Sequence, residues 1–248
     1  MKKLVLTSFL AVLAVSAANA ENINYGNPLY RPGANHFYSQ TSLDMDTDYN
    51  YFKLGEEFGY GITNKLSAIL KTAGSYDSSD TAIDKFSWDN MSLGLNYRYI
   101  DMGAWKADMY GSVQQSYNTH EDLETLWYNW TAGLKFGYMT SDWTVAMTAQ
   151  ADYLKDDVED YNFDSWGMKL GLEGQYVMDK NWNMVAGLDY DFNLTNDIYY
   201  IDNPLVAKVG INYNMDSTKY VGIYATRDLK ADSTNDLYGM GVKFGIDF

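Results

Sequence analysis

Residues Leu237 to Phe248 read LYGMGVKFGIDF, and the alternation in this stretch decides the fold. Tyr238, Met240, Val242, Phe244, Ile246 and Phe248 take every second position, with Leu237, Gly239, Gly241, Lys243, Gly245 and Asp247 between them. Successive side chains of a strand point to opposite faces, so a period of two describes a strand between an apolar environment and a different one. A tilted strand needs about 9 to 11 residues to cross the hydrocarbon core of a membrane, and this stretch is long enough. The three glycines would weaken a strand in an ordinary soluble sheet. On the face turned away from lipid they leave space for close approach. With Phe248 as the last residue, the strand is expected to close a sheet instead of standing as its exposed edge.

The pattern recurs upstream. Strand 1 is expected at about 37–47, with Phe37, Thr41, Leu43 and Met45 outward, and strand 2 at about 51–62, with Phe52, Leu54, Phe58, Tyr60 and Ile62 outward. Glu56 falls on the same face as the second set, which predicts either a bulge near it or different strand limits, because an acid facing lipid is costly. Strand 3 follows at about 66–76. Later outward rows run Met91 to Tyr99, Trp105 to Val113, Leu126 to Tyr138, Trp143 to Tyr153, Trp166 to Tyr176, Trp182 to Phe192 and Leu205 to Tyr213. In strand 11 the aliphatic set Val221, Ile223 and Ala225 competes with Tyr220 and Tyr224, and the aliphatic set is the expected outward face.

Tight turns begin near residues 63, 101, 140, 179 and 216, a spacing of 37 to 39 residues that fits a hairpin of two ten-residue strands. Propeller blades of this length hold four shorter strands, and a β-sandwich has shorter strands as well. Trp105, Trp143 and Trp182 each begin a strand just after such a turn, and so belong to one interfacial girdle. The expected fold is therefore all-β: a transmembrane antiparallel β-barrel, an up-and-down meander of 12 strands, with 10 or 14 as alternatives, spanning residues 35–248. An even count places both termini on one side, with short turns there and longer loops opposite.

The C-terminal stretch resembles that of bacterial outer-membrane β-barrels, whose last strand ends in Phe with aromatic or aliphatic residues at alternate positions upstream. Phe248, Ile246, Phe244 and Val242 carry the resemblance. It implies the outer membrane of a Gram-negative bacterium as location. It also implies lipid and lipopolysaccharide as surroundings, periplasmic chaperones and the barrel-assembly machinery as partners, and Phe244, Ile246 and Phe248 as the assembly signal. Barrels of this class include porin-like solute channels and a phospholipase, so strand count alone selects no activity.

Residues 1–20 read MKKLVLTSFLAVLAVSAANA, with Lys2 and Lys3, a short apolar run and Ala18-Asn19-Ala20. This is the pattern of a secretory signal peptide, since the apolar core is short for a transmembrane anchor. Residues 21–34 carry Pro28 and Pro32 and read as an irregular lead-in at the periplasmic rim or folded into the lumen. Two of the 18 Lys/Arg and none of the 33 Asp/Glu precede residue 21, leaving 16 bases against 33 acids and a formal charge of −17. Such a balance argues against nucleic acid as a partner. Cys is absent, which excludes disulfides and thiolate metal sites. The 23 Tyr, 7 Trp and 10 Phe in an overall polar chain fit aromatic belts around a polar lumen.

The inward rows supply the candidates for selectivity: Lys71, Arg98, Lys106, Asp108, Lys135, Lys169, Glu173, Asp189, Asp191, Lys208 and Lys243, with Asp152 and Asp247 beside them. Bases on even strands and acids on odd strands are expected to pair across the wall. The loops hold much of the acid, including Asp77, Asp80, Glu121, Asp122, Glu124, Asp156, Asp157, Glu159 and Asp160, and such a vestibule favours cations. The expected function is passive diffusion of ions and small hydrophilic solutes, with a closed structural or adhesive barrel as the alternative. A hydrolase is the weaker reading, resting on His120 with Ser116, Asp122 or Glu124. No cofactor and no metal is expected. The acid pair Asp156 and Asp157 fits a solvated loop as well as a Ca²⁺ rim site.

Overall fold

A computed structural model of the protein describes residues 27–46, 51–77, 86–120, 123–156, 164–195, 203–230 and 238–248. The expected signal peptide at 1–20, the start of the expected lead-in and most of the acidic loop residues lie outside these. Twelve strands form one closed antiparallel barrel: β1 (Phe37–Asp46), β2 (Tyr51–Gly61), β3 (Leu66–Asp77), β4 (Phe86–Met102), β5 (Trp105–His120), β6 (Leu123–Met139), β7 (Trp143–Asp156), β8 (Asp164–Val177), β9 (Trp182–Asn193), β10 (Leu205–Asn214), β11 (Lys219–Asp228) and β12 (Tyr238–Asp247). Each strand pairs with its sequence neighbours, and β12 returns to pair with β1. Closure removes the edges that an open sheet would expose to lipid, where backbone groups find no water.

Several strands run further than the alternation predicts. β5 and β6 remain paired up to His120 and Leu123, where a loop at 116–124 is expected from the sequence. β7 likewise continues to Asp156. Backbone pairing needs no apolar side chains, so the ladder extends beyond the lipid band into polar sequence.

The apolar rows face outward. Leu93, Leu95, Trp130, Leu134, Met147 and Ile223 are all more than half exposed in the isolated chain, as expected of side chains that meet lipid. In β11 the aliphatic row points out and Tyr220 is buried within, as the sequence favours. Two irregularities in β4 re-aim its side chains. One lies where Gly74 pairs Trp88 after Ala73 pairs Asn90, leaving Asp89 as the extra residue and turning Trp88 outward. The other skips Tyr99 between the Arg98–Asp108 and Ile100–Ala107 pairs. An inserted residue reverses facing, which alternation alone does not reveal.

Glu56 requires a correction. β2 runs in unbroken register against β1 and β3, with no bulge near Glu56, so the carboxylate does stand on the outward face opposite Thr41. Its cost is offset locally: Ser39 Oγ donates to Oε1 at 2.5 Å and Thr41 Oγ1 donates to Oε2 at 2.6 Å. Strand 1 thus places Ser39 and Thr41 on its lipid face because they hold the acid of strand 2.

The tight turns share one chemistry. Thr63 Oγ1 accepts from the N–H groups of Lys65 and Leu66, and Thr140 Oγ1 from those of Asp142 and Trp143. Asp179 Oδ1 accepts from Asn181 and Trp182 in the same way, and Asp216 Oδ1 from Thr218. These are side-chain mimics of a backbone turn. The Thr218 N–H, with its hydroxyl and nearby Lys219, holds the Asp216 carboxyl below the ordinary carboxylate range. The bond therefore stabilises at neutral pH, and that stabilisation is lost as pH falls through the lowered folded value. In the remaining turn Gly103 supplies the left-handed residue, with φ of 55°.

Closure at the C terminus is backbone to backbone: Phe248 N donates to Phe37 O at 2.7 Å and Phe37 N to Phe248 O at 3.2 Å, while the two rings lie 5.8 Å apart. Deletion of Phe248 removes this last pair of bonds and the ring contact. The heat-modifiable, folded fraction in outer-membrane extracts should fall several-fold, and an unchanged fraction would count against this strand's closing role.

Candidate functional site in the barrel lumen

The lumen has two different ends. At the turn end it is filled. Residues 27–36 enter it from the start of β1, turning at Pro28 and Leu29, where Tyr30 N donates to Asn27 O at 3.0 Å. Leu29 is only 1% exposed. Its carbonyl accepts from Arg98 Nη2 at 2.6 Å, and that of Pro28 from Lys135 Nζ at 3.2 Å. Tyr30 Oη donates to Asp247 Oδ2 at 2.5 Å, and Arg31 Nη2 donates to the Asn96 carbonyl at 3.1 Å. A layer of buried Thr144, Gln175, Asn183 and Asn212 completes this end, with Asn212 Nδ2 donating to Asn183 Oδ1 at 2.8 Å. Prolines exclude residues 27–33 from a central strand, and the donors of the wall take their carbonyls instead.

The inward charges are arranged mostly in pairs. Arg98 grips Asp108 with two bonds, Nε to Oδ1 at 2.8 Å and Nη2 to Oδ2 at 3.0 Å, and Arg31 Nη1 lies 3.8 Å from the same carboxylate. Lys135 meets Glu173 at 2.9 Å, Lys71 meets Glu57 at 2.7 Å, Lys169 meets Asp191 at 3.4 Å and Lys53 meets Asp89 at 3.7 Å. Lys106 is bonded to Asp101 at the rim. Asp152 is held by neutral groups, Thr131 Oγ1 at 2.7 Å and Gln150 Nε2.

The expected alternation of bases and acids therefore holds only in part. Arg98 and Lys169 do pair with the next strand, but Lys135 reaches past β7 to Glu173 on β8, an even strand. Among the described residues Lys208 and Lys243 have no carboxylate within 4 Å; Asp189, diagonal to Lys208, is beyond that distance. Each of the two instead lies over the Tyr224 ring, at 4.5 and 4.9 Å from its centre.

Tyrosines are the lumenal residues that charge-based reading misses. Tyr224 on β11 lies across Gly241 on β12, and its hydroxyl reaches Asp44 on β1. Tyr220 lies across Gly245 and donates to Gln40. Tyr110 on β5 lies across Gly133 on β6 and donates to Gln150 on β7 at 2.8 Å. In each case a Cβ on the glycine would overlap the ring, so a missing side chain lets the phenol lie flat and bridge two strands. The signal in the sequence is a cross-strand match of inward Tyr with inward Gly, visible only once register is known.

The outer rim shows a second repeat. Trp105 packs on Tyr138 at 5.0 Å, Trp143 on Tyr176 at 4.3 Å and Trp182 on Tyr213 at 4.8 Å, each pair directly opposite in register at the turn end. Phe244 pairs Thr41 and Ile246 pairs Ser39 on the outward face of β12. Ser116 is buried in the wall and accepts a bond from Gln114 Nε2 at 2.9 Å. The side chains of His120, Asp122 and Glu124 lie outside the described residues, as does Asp157. Among the described residues no three His, Asp or Glu side chains converge on a metal-sized site.

With this geometry in view, comparison with known proteins gives a likeness of fold. No family model matches the chain, and no curated protein matches it. Among solved structures, the NanC porin superposes with a TM-score of 0.62 at 9% identity, over 85% of this chain and 98% of that one. The KdgM porin in complex with disordered oligogalacturonate gives 0.54 at 10% identity, over 85% and 98%. A loop-L8 deletion mutant of OmpT, an outer membrane protein of Vibrio cholerae, gives 0.51 at 12% identity, over 86% and 98%. The protein is a twelve-stranded closed antiparallel β-barrel with the fold of small outer-membrane porins.

Two substitutions test the lumenal framework. Arg98→Ala leaves Asp108 buried with only the distant Arg31 and frees the Leu29 carbonyl, and should destabilise the barrel by about 3–5 kcal/mol in urea titrations in lipid vesicles. Gly241→Val displaces the Tyr224 ring and should cost about 1–3 kcal/mol as an overpacking change, whereas Val206→Ala, away from any tyrosine shelf, should cost less.

Proposed function

We propose that the protein is an outer-membrane channel for passive diffusion of ions and small hydrophilic solutes. The observation that carries this reading is the wet half of the lumen toward the loops. There the paired charges stay partly exposed, with side-chain exposures of 55% for Lys71, 36% for Lys53 and 35% for Lys169. Charged side chains this exposed inside a barrel require water around them. The porin fold supports the same reading, and one protein sharing it was solved with an oligogalacturonate.

In this reading Lys71, Lys106, Lys135, Lys169, Glu173, Asp189, Asp191, Lys208 and Lys243 line the path and set its selectivity, while the buried Arg98 and Asp108 act on it by holding the lead-in that narrows it. The formal charge of −17 favours cations at the mouth, over a range that physiological salt limits to about 8 Å. Lipid and lipopolysaccharide surround the outward rows. Periplasmic chaperones and the barrel-assembly machinery deliver the chain, the latter reading Phe244, Ile246 and Phe248. The turn end, with both termini, faces the periplasm, and the Trp105, Trp143 and Trp182 girdle sits at that interface.

A second reading, a closed barrel with a structural or adhesive role, is favoured by the packing of Leu29 and its neighbours across the turn end. Neither reading invokes catalysis. Planar-bilayer recordings separate the two. The mature barrel should give small single-channel events, and a variant lacking residues 21–35 should conduct several-fold more. Silence from both proteins, with folding verified by heat-modifiable mobility, would leave the closed barrel standing.

A further inference from the structure

We infer that Lys208 and Lys243 form a binding site for a small oxyanion, a phosphate or carboxylate group, on the β10–β12 wall of the lumen. Lys208 and Lys243 both line one cavity of about 100 Å³, which Tyr224, Tyr220, Gln40 and Asn212 also line. Seven other lumenal bases, Arg31, Lys53, Lys71, Arg98, Lys106, Lys135 and Lys169, each have a carboxylate within 4.0 Å. These two do not. Both lie over a single aromatic ring, which attracts cations without supplying a counter-charge in contact with either ammonium.

Three of the neighbouring acids are engaged elsewhere, and the fourth, Asp189, diagonal to Lys208, stands more than 4 Å from it. Glu173, on the cavity wall, is taken by Lys135 at 2.9 Å; Glu57 is taken by Lys71 at 2.7 Å and by the Tyr38 hydroxyl; Asp44 accepts the Tyr224 hydroxyl. The protein thus builds a pocket with two like charges and a fixed aromatic floor, and an anion is the missing partner. Tyr224 is the positioning element. Its ring is fixed by the Gly241 shelf and by Asp44, so the two lysines approach it from the strands on either side, β10 and β12. An ammonium is a compact point charge with three rotatable donors, suited to a single oxyanion group and without demand for a planar bidentate ligand. Gln40 adds an amide donor on the cavity wall.

The readout does not depend on conduction. The folded mature barrel in detergent is treated with a lysine-acetylating reagent and the modified sites are read by mass spectrometry. Inorganic phosphate and acetate, in separate arms, are each compared with chloride at equal ionic strength. Phosphate or acetate should slow modification of Lys208 and Lys243 about tenfold at saturation, in a saturable manner, and leave Lys71 unchanged; the arm that saturates at lower concentration identifies the preferred group. In parallel, Lys208→Gln and Lys243→Gln should each weaken the anion-dependent rise in unfolding temperature at least tenfold in concentration. Equal protection by chloride, protection spread over all lumenal lysines, or no protection overturns the site. A barrel that binds phosphate yet passes no current would remove the channel reading and leave this one intact.

Discussion

Pairing of β12 with β1 is the contact on which everything else in this protein depends. Twelve strands left as an open sheet in lipid would expose two rows of N–H and C=O groups with no water to satisfy them, at a cost of several kcal/mol per group. Nine residue pairs from Tyr38–Asp247 to Asp46–Gly239 remove that cost. Once the ring is shut, strand register is common to the whole wall, and every inward residue acquires fixed neighbours two and three strands away. The Tyr224–Asp44 and Tyr220–Gln40 bridges cross this seam, so the closure also organises lumenal side chains.

The lumen shows how a barrel of this size disposes of polar groups that lipid cannot accept. At the turn end, carbonyls of Pro28 and Leu29 occupy Lys135 and Arg98, and Asp247 and Asp108 receive Tyr30 and the two arginines. The lead-in therefore completes a polar core that the wall by itself leaves unsatisfied. Toward the loops the same kinds of side chain are left partly hydrated. One wall thus carries a packed polar core and a set of partly exposed charges in series.

Outward, the same economy appears at Glu56. The sequence marks it as an anomaly on a lipid row, and the structure keeps it there, with two hydroxyls of β1 as its solvent. Alternation predicts the lipid rows of β5 to β12 because each residue type reports its own surroundings. It does not predict the bulge at Asp89, since an extra residue changes facing without changing composition. For the same reason the outward aliphatic face of β11 was legible in Val221, Ile223 and Ala225. The roles of Tyr110, Tyr220 and Tyr224 were not, because each depends on a glycine in another strand.

By itself the sequence determined an up-and-down barrel, favouring twelve strands over 10 or 14, with its hairpin order, the lipid face and the inward placement of most charges, because these follow from period, turn residues and length. Even the start of the closing strand, LYGMGVKFGIDF, announces its two faces. Only the tertiary structure decided which charges pair, that Lys135 reaches Glu173 beyond its neighbour strand, and that Lys208 and Lys243 stand together over one ring. It alone decided that residues 27–36 fill the turn end. These outcomes depend on shear and register around a closed ring, which bring residues up to 217 positions apart, such as Tyr30 and Asp247, within a hydrogen bond.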